Sequence, residues 1–246
     1  MKTIIGRDAE IERIEALAES PHSEFLALFG RRRVGKTFLV NQVFKDRFAF
    51  KMTGVIEGTL NDQFTAFSDA MEEFGYAMPE RPKDWMTAFV MLKNALKNTV
   101  KDDERCIVFI DELPALDAEN SNVAGAVGYF WNSWASLQDN VVLIICGSAT
   151  SWMIANVIDS KGGLHDRLTE EMAIHPFTLR EVEEYLNEHQ FVWNRQMALQ
   201  AYMVFGGIPY YLSLLDNSES LVQNIDRLFF SRDTKMRREF RRLFNT

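Results

Sequence analysis

Two glycines, a lysine and a threonine lie between Gly30 and Thr37 at a spacing that can bind phosphate. The segment GRRRVGKT matches the pattern G-x-x-x-x-G-K-[ST] of a phosphate-binding loop. Gly30 and Gly35 permit backbone angles that other residues avoid, so consecutive N–H groups can point at phosphate oxygens. In such loops the lysine, here Lys36, reaches the terminal phosphates and the threonine hydroxyl binds Mg²⁺. The predicted nucleotide-binding residues are therefore Gly30, Arg31, Arg32, Arg33, Val34, Gly35, Lys36, Thr37 and Phe38.

The apolar run Cys106–Ile110 ends in two carboxylates, Asp111 and Glu112. A buried strand with this ending is typical of a Walker B segment, in which the aspartate holds Mg²⁺ through its hydration shell. Glu112 is then placed to orient or deprotonate a water that attacks the γ-phosphate. Acidic residues also end buried strands simply to reach solvent, but the upstream phosphate loop favours the metal and catalytic roles. One extra strand between the two motifs favours hydrolysing ATPases over nucleotide kinases.

Ser148 follows a third apolar run, Val141–Cys146, and two interpretations of it are open. It can contact the γ-phosphate or the attacking water, a role called sensor 1. It can also cap the next helix, predicted at Trp152–Val157, because serine is a common N-cap residue.

The first two thirds of the chain alternate short apolar runs with longer periodic ones, which predicts βα units on a parallel sheet. Apolar and aromatic residues recur every three or four positions from Phe64 to Phe74 and from Trp85 to Leu96, so we expect core-facing helices there. The predicted strands are Phe25–Phe29, Phe48–Thr53, Cys106–Ile110, Val141–Cys146 and Met172–His175.

After about Pro176 the strand pattern stops and only helical patterns follow. The predicted fold is α/β: a three-layer αβα P-loop domain with a parallel five-stranded sheet at 1–176, then a helical lid subdomain at 177–246. The predicted helices of the lid are Leu179–Glu188, Asn194–Phe205, Pro209–Leu215, Ser218–Phe230 and Arg232–Phe244.

Composition excludes several classes of protein. The chain has 246 residues, is 47% hydrophobic and 25% charged, and carries a net charge of −8, so it is neither disordered nor a general nucleic-acid or membrane binder. Cys106 and Cys146 are expected to be reduced and buried, and the four histidines lack metal-ligand spacing. No apolar run is long enough to cross a membrane, so we expect a cytoplasmic location.

The segment from Arg227 to Arg242 is rich in cations and has an apolar stripe at helical spacing. It can contact nucleic acid or an acidic partner, or it can be an ordinary solvated helix whose apolar face docks on the lid or on a downstream module. The second interpretation is favoured because no aromatic residues lie on the basic face. The cations are Arg227, Arg232, Lys235, Arg237, Arg238, Arg241 and Arg242.

Taken together, these motifs resemble the archaeal and bacterial ATPase group within the STAND branch of AAA-like (ASCE) P-loop ATPases. The resemblance covers about residues 4 to 244, with its segments in the family's order. Those segments are IGRDAE at the N-terminus, FGRRRVGKTFLV, CIVFIDELPAL, LIICGSATSWM, GLHDRLTEEMAIHPFTLREVEEYL and FGGIPYYLSLL.

The resemblance implies roles for two further segments. Ile5, Gly6 and Arg7 would lie against the adenine, although the same segment can simply lead into a helix capped by Asp8. Pro209, in the Gly-Ile-Pro element of the lid, would close over the base or ribose. A helix that ends at the double glycine and another that starts at the proline explain that element equally well.

Arg167 matches a family arginine that acts as a phosphate sensor or arginine finger, with a structural salt bridge as the alternative. The family usually continues into a winged-helix module and often a nuclease-like domain, so the resemblance implies that a chain stopping at Thr246 lacks these modules, as a truncated form or a fragment would. Homo-oligomerisation on ATP binding also fits the family, as does nucleic-acid contact through the basic helix or the absent domains.

The sequence and the resemblance together predict a Mg²⁺-dependent ATPase with ATP or ADP as its nucleotide. In this interpretation the catalytic residues are Lys36, Glu112, Ser148 and Arg167, and the metal-binding residues are Thr37 and Asp111. The alternative is a nucleotide-gated switch or assembly module with little turnover of its own.

Overall fold

Five short runs rich in Val, Ile, Leu and Phe form parallel strands in the computed structural model, which describes residues 4–99, 101, 104–159, 164, 166–231, 234, 236 and 239. The strand order is β2-β3-β4-β1-β5, and every pair is parallel. This confirms the predicted α/β class with a parallel five-stranded sheet. The strands are β1 Glu24–Phe29, β2 Phe48–Thr53, β3 Cys106–Asp111, β4 Val141–Gly147 and β5 Glu170–Ala173.

The central strands β3 and β4 are buried at every residue, as expected for a parallel sheet that is covered on both faces. Strand β5 lies two residues earlier than the predicted Met172–His175. Its pairing with β1 runs from Leu26–Glu170 to Phe29–Ala173 and stops where β1 gives way to Gly30. The apolar pattern continues past that point, but it has no strand left to pair with.

The helices that follow the strands agree in type with the predicted βα alternation. Those of the sheet region are α1 Asp8–Glu19, α2 Lys36–Phe44, α3 Leu60–Glu73, α4 Trp85–Thr99, α5 Leu113–Leu116, α6 Val123–Ser133 and α7 Thr150–Met153. Short 3₁₀ turns lie at Lys45–Arg47, Ala118–Asn120 and Ala135–Leu137, and a π turn at Ile154–Ile158 extends α7.

The chain divides into two compact units. The first, called the sheet unit here, comprises Asp8–Arg32 and Lys36–Ile174. The second, the helical unit, takes the described residues of Met1–Arg7, Arg33–Gly35 and His175–Thr246. The predicted boundary at residue 176 placed residues 1–7 and 33–35 in the sheet domain instead.

Aromatic side chains dominate the core of the sheet unit, as the helical stripes predicted. Phe67 on α3 and Trp85 and Phe89 on α4 are almost fully buried and pack in one continuous cluster. The Trp85 indole N–H donates to the Leu116 carbonyl at 3.0 Å, so its one polar atom is satisfied inside the core.

The helical unit has a separate apolar cluster, built around Val182, Ala201, Phe205 and Leu212. Its helices are α8 Leu179–Glu188, α9 Arg195–Phe205, α10 Pro209–Leu212 and α11 Leu221–Ile225, with a π turn at Asp226–Phe230.

Capping explains where two of these helices begin. Thr178 and Ser220 each form a reciprocal capping box at the start of α8 and α11. Helix α11 therefore starts at Leu221 rather than at the predicted Ser218, and α10 ends at Leu212 rather than at Leu215. The predicted helix Arg232–Phe244 falls mostly outside the described residues.

Two adjacent glycines end α9, and they differ in what surrounds them. Gly206 and Gly207 have φ of 65° and 66°, a backbone conformation that costs other residues free energy. A Cβ on Gly207 would lie 2.1 Å from the Phe177 carbonyl oxygen, whereas a Cβ on Gly206 would meet nothing within 4 Å.

We therefore expect Gly207→Ala to destabilise the chain more than Gly206→Ala. The Gly206→Ala variant carries only the backbone penalty, about 1 kcal/mol of unfolding free energy. Gly207→Ala carries the same penalty plus a collision with main chain, so its loss should be at least about twice as large. Urea unfolding followed by circular dichroism measures both. Equal losses would contradict the close approach of Gly207 to Phe177.

Candidate functional site

The phosphate-binding motif forms the connection between β1 and α2. Gly30 has φ of 138°, and a Cβ there would lie 2.3 Å from the Ile174 carbonyl oxygen, so only glycine fits. Gly35 has φ of 95° with open space around it, so its requirement for glycine is conformational. The two motif glycines are thus needed for different physical reasons.

Lys36, the first residue of α2, is 5% exposed although it is a cation. Its Nζ donates to the carbonyls of Gly30 at 2.9 Å and Arg31 at 3.0 Å. The ammonium group therefore lies against its own loop, and the two carbonyls compensate for its loss of water. An anion bound in the loop would meet a cation that is already held there.

Thr37 and Asp111, the two predicted metal-binding residues, are in direct contact. The Thr37 hydroxyl donates to Asp111 Oδ2 at 2.7 Å, and the Glu112 N–H donates to Oδ1 at 3.0 Å. Asp111 ends β3 and is 3% exposed, so these hydrogen bonds satisfy a carboxylate that has little access to water. Hydroxyl and carboxylate oxygens are donors that Mg²⁺ prefers, so this pair fits the predicted ion.

Glu112 and Ser148 are also brought together. The Ser148 hydroxyl donates to Glu112 Oε2 at 2.9 Å, and the Ser148 N–H donates to the same oxygen at 3.3 Å. Arg32 Nε donates to the Ser148 hydroxyl oxygen at 3.4 Å. Two of the four predicted catalytic residues and one loop arginine thus form a connected polar group at the carboxyl ends of β3 and β4.

The helix-cap interpretation of Ser148 is wrong. Helix α7 begins at Thr150, its N-cap position is Ala149, and no side chain caps it. The predicted helix start at Trp152 was two residues too late, and the hydroxyl of Ser148 is directed to Glu112 instead.

Two glycines that the sequence analysis did not single out shape this edge of the sheet. Gly54 follows β2 and donates its N–H to the Asp111 carbonyl at 2.9 Å, and a Cβ there would lie 2.6 Å from the Glu112 carbonyl oxygen. A Cβ on Gly147 would lie 2.8 Å from Pro114 and 2.7 Å from Met153. A glycine directly after or ending an apolar strand was the only available signal.

The predicted adenine-binding segment belongs to the helical unit. Ile5 packs against the apolar cluster of that unit, and a Cβ on Gly6 would lie 2.7 Å from Glu181 Oε1. Arg7 is buried, its Nη2 donates to the His175 carbonyl and at 3.4 Å to that of Val34, and its guanidinium lies over the Phe177 ring. These contacts give Arg7 a structural role, and adenine binding by the segment stays a prediction.

Asp8 and Pro209 each begin a helix. Asp8 is the first residue of α1, one position inside the N-cap that was predicted for it. Pro209 is the first residue of α10 and follows Ile208 at the N-cap, a position that suits a residue without an N–H. The role of Pro209 toward a nucleotide remains a prediction.

Arg167 lies exposed in a turn, where its N–H donates to the Leu164 carbonyl at 3.1 Å. Within the part of the chain that the structure describes, its guanidinium has no hydrogen-bond or ion-pair partner. The salt-bridge alternative is therefore not seen there, and the sensor role stays a prediction.

The remaining loop residues differ in burial. Arg31, Arg32 and Phe38 are exposed, Val34 is buried, and Arg33 forms an ion pair with Glu239.

The basic C-terminal segment is described only in part. Arg227 bonds Glu219 within the helical unit, at 2.8 Å between Nε and Oε2. The other cations proposed for nucleic-acid contact lie outside the described residues: Arg232, Lys235, Arg237, Arg238, Arg241 and Arg242.

The described residues contain no group of three or more His, Cys, Asp or Glu side chains that could hold a metal ion. None of their helices has both the length and the apolar character that a membrane span needs.

Known proteins resemble this chain in sequence. The model of a family described as ATPase domains predominantly from Archaea matches residues 4–215. An uncharacterised protein of Methanocaldococcus jannaschii is 27% identical over 208 residues, which are 85% of this chain and 43% of that protein. The chain thus spans less than half the length of this relative.

Solved structures of low sequence identity share the fold. The Walker-type ATPase PABY2304 of Pyrococcus abyssi is 17% identical with a TM-score of 0.60, covering 98% of this chain and 77% of that one. The ORC2 protein of Aeropyrum pernix, solved with ADPNP and ADP, is 15% identical with a TM-score of 0.56, covering 99% and 66%.

Both cysteines are free and buried, and their thiols are expected to be unreactive in the folded chain. Burial raises the pKa of Cys106 to about 12. Burial raises the pKa of Cys146 well above its ordinary value, and the nearby charge of Asp111 adds to the shift. Because the thiolate is the reactive form, a disulfide reagent at pH 8 should label neither cysteine until guanidinium unfolds the chain. Rapid labelling of the folded chain would contradict this burial.

Proposed function

This chain belongs to the family of ATPase domains predominantly from Archaea, and we propose that it binds ATP with Mg²⁺ and hydrolyses the γ-phosphate. The observation that carries the proposal is the contact between the Thr37 hydroxyl and the Asp111 carboxylate, 2.7 Å apart, beside a lysine held on the phosphate loop. The oxygen pair suits a divalent cation, and the lysine suits the phosphates that the cation would accompany.

Binding of the triphosphate begins at the loop. Lys36 exchanges the carbonyls of Gly30 and Arg31 for oxygens of the terminal phosphates, so its charge is compensated both before and after binding. The glycine geometry of the loop turns main-chain N–H groups toward the same oxygens. The N-terminus of α2 adds its positive dipole end.

Thr37 and Asp111 would hold the metal ion. The threonine would offer its hydroxyl oxygen, and Asp111 would offer the carboxylate that the hydroxyl contacts in its absence. When bound, Mg²⁺ neutralises the charge that develops on the phosphate oxygens.

Glu112 is the group that we assign to the attacking water. Its Oε2 accepts the hydroxyl and N–H of Ser148, which fixes the orientation of the carboxylate, and Oε1 can accept a hydrogen bond from the water that it orients. The Ser148 hydroxyl would take the sensor role by turning from Glu112 to the γ-phosphate. Arg167 would supply a further cation at the phosphate.

The bonds from Ser148 to Glu112 also favour a second candidate, a nucleotide-gated switch with slow turnover. A carboxylate held by two donors is restrained until something releases it, and a partner or a neighbouring subunit could provide that release. A regulatory role of the STAND type and a cytoplasmic location fit this version of the proposal.

We expect Lys36→Ala to weaken the binding of Mg–ATP and ADP by about 100-fold, because charge-assisted contacts to phosphate are lost. Isothermal titration calorimetry measures both nucleotides. Lys101→Ala is the matched control, since Lys101 is an exposed lysine that pairs only with Glu104 among the described residues.

The fold of Lys36→Ala is checked by circular dichroism before binding is interpreted. Unchanged affinity in a folded Lys36→Ala variant would contradict the assignment of the loop.

A further inference from the structure

Arg33, in the middle of the phosphate loop, is held by the helical unit to which it belongs. Its Nη1 forms an ion pair with Oε2 of Glu239, and the two side chains are 26% and 11% exposed. Its guanidinium carbon lies 4.4 Å from the ring centroid of Tyr210 and 5.9 Å from that of Tyr211. By contrast, Arg31 and Arg32 are exposed.

The backbone of Arg33 has a conformation that needs support from its surroundings. Its φ of 72° is left-handed, a conformation that a non-glycine residue adopts at a cost and keeps only when its surroundings impose it. The next residue is held as well, because Val34 is buried and its carbonyl accepts a hydrogen bond from Arg7. The centre of the loop is thus held by two kinds of contact, those of the Arg33 side chain and the hydrogen bond to the Val34 carbonyl.

We propose that Arg33 is a positioning residue. Its ion pair with Glu239 and its stacking on Tyr210 hold the loop in the conformation that presents main-chain N–H groups to phosphate. A planar guanidinium can stack on an aromatic ring and bond a carboxylate at the same time, which an ammonium group cannot do equally well. This inference rests on the proposed function, since it concerns how the same loop binds a nucleotide.

Removal of the Glu239 charge distinguishes positioning of the loop by Arg33 from simple attraction between Arg33 and the phosphates. If Arg33 acted only through its charge on the phosphates, removal of the negative Glu239 nearby would leave nucleotide binding unchanged or make it tighter. If Arg33 positions the loop, loss of Glu239 frees the guanidinium and weakens binding, although the chain becomes more positive.

The test is ADP affinity, measured by calorimetry at a temperature at which each variant is folded. Glu239→Gln should weaken ADP binding about fivefold, and Arg33→Lys by a similar factor, as expected for loss of one partly buried contact. Glu219→Gln is the matched control, because it breaks the ion pair with Arg227 elsewhere in the helical unit and should leave ADP affinity unchanged.

A double-mutant cycle makes the test stricter. Arg33→Ala combined with Glu239→Gln should weaken ADP binding no more than Arg33→Ala alone, because the two residues act through one contact. Additive losses would overturn the inference. The inference is also overturned if Glu239→Gln binds ADP as tightly as the wild type. This holds even if the unfolding temperature of the variant is lower.

Failure of the proposed function gives a different result. If Lys36→Ala binds ADP as the wild-type chain does, the loop is not the nucleotide site, and the proposed function and this inference both fail. ADP binding that depends on Lys36 but ignores Glu239 overturns the inference alone.

Discussion

The candidate site depends on the parallel pairing of the strands, because parallel strands bring their carboxyl ends to one edge of the sheet. Gly30 follows β1, Asp111 ends β3 and Ser148 follows β4, so residues far apart in sequence meet at that edge. The register aligns Phe29 with Gly147 and Ile110 with Ile145. A slip of one residue in either pairing would turn a buried row of side chains to the opposite face and separate these groups.

Much of this arrangement could be predicted from the sequence, because the signals are local. The strands are short apolar runs bounded by polar residues or glycine, and the phosphate loop is a contiguous motif with fixed chemistry. Contacts between distant residues carry no such signal. Nothing in the sequence around Ser148 indicates that its hydroxyl bonds Glu112 rather than caps α7. The pairing of Arg33 with Glu239 likewise depends on the tertiary fold.

The charged residues of the site already form hydrogen bonds within the protein. Lys36, Asp111 and Glu112 each have protein hydrogen-bond partners before a nucleotide, an ion or a water is bound. These bonds satisfy the buried charges, and any of them that breaks on binding adds to the free-energy cost of that step. The bonds of Glu112 with Ser148 matter most, because the same contact can place a catalytic carboxylate or restrain it.

Phosphate release from Mg–ATP by the wild-type chain and by Glu112→Gln tests the central claim most directly, with ATP binding measured on both. We expect measurable turnover in the wild type, a loss of at least about 100-fold in Glu112→Gln, and similar ATP affinity in the two. Equal turnover in both would contradict the role of Glu112. Tight binding without phosphate release in either would contradict hydrolysis and favour the nucleotide-gated switch.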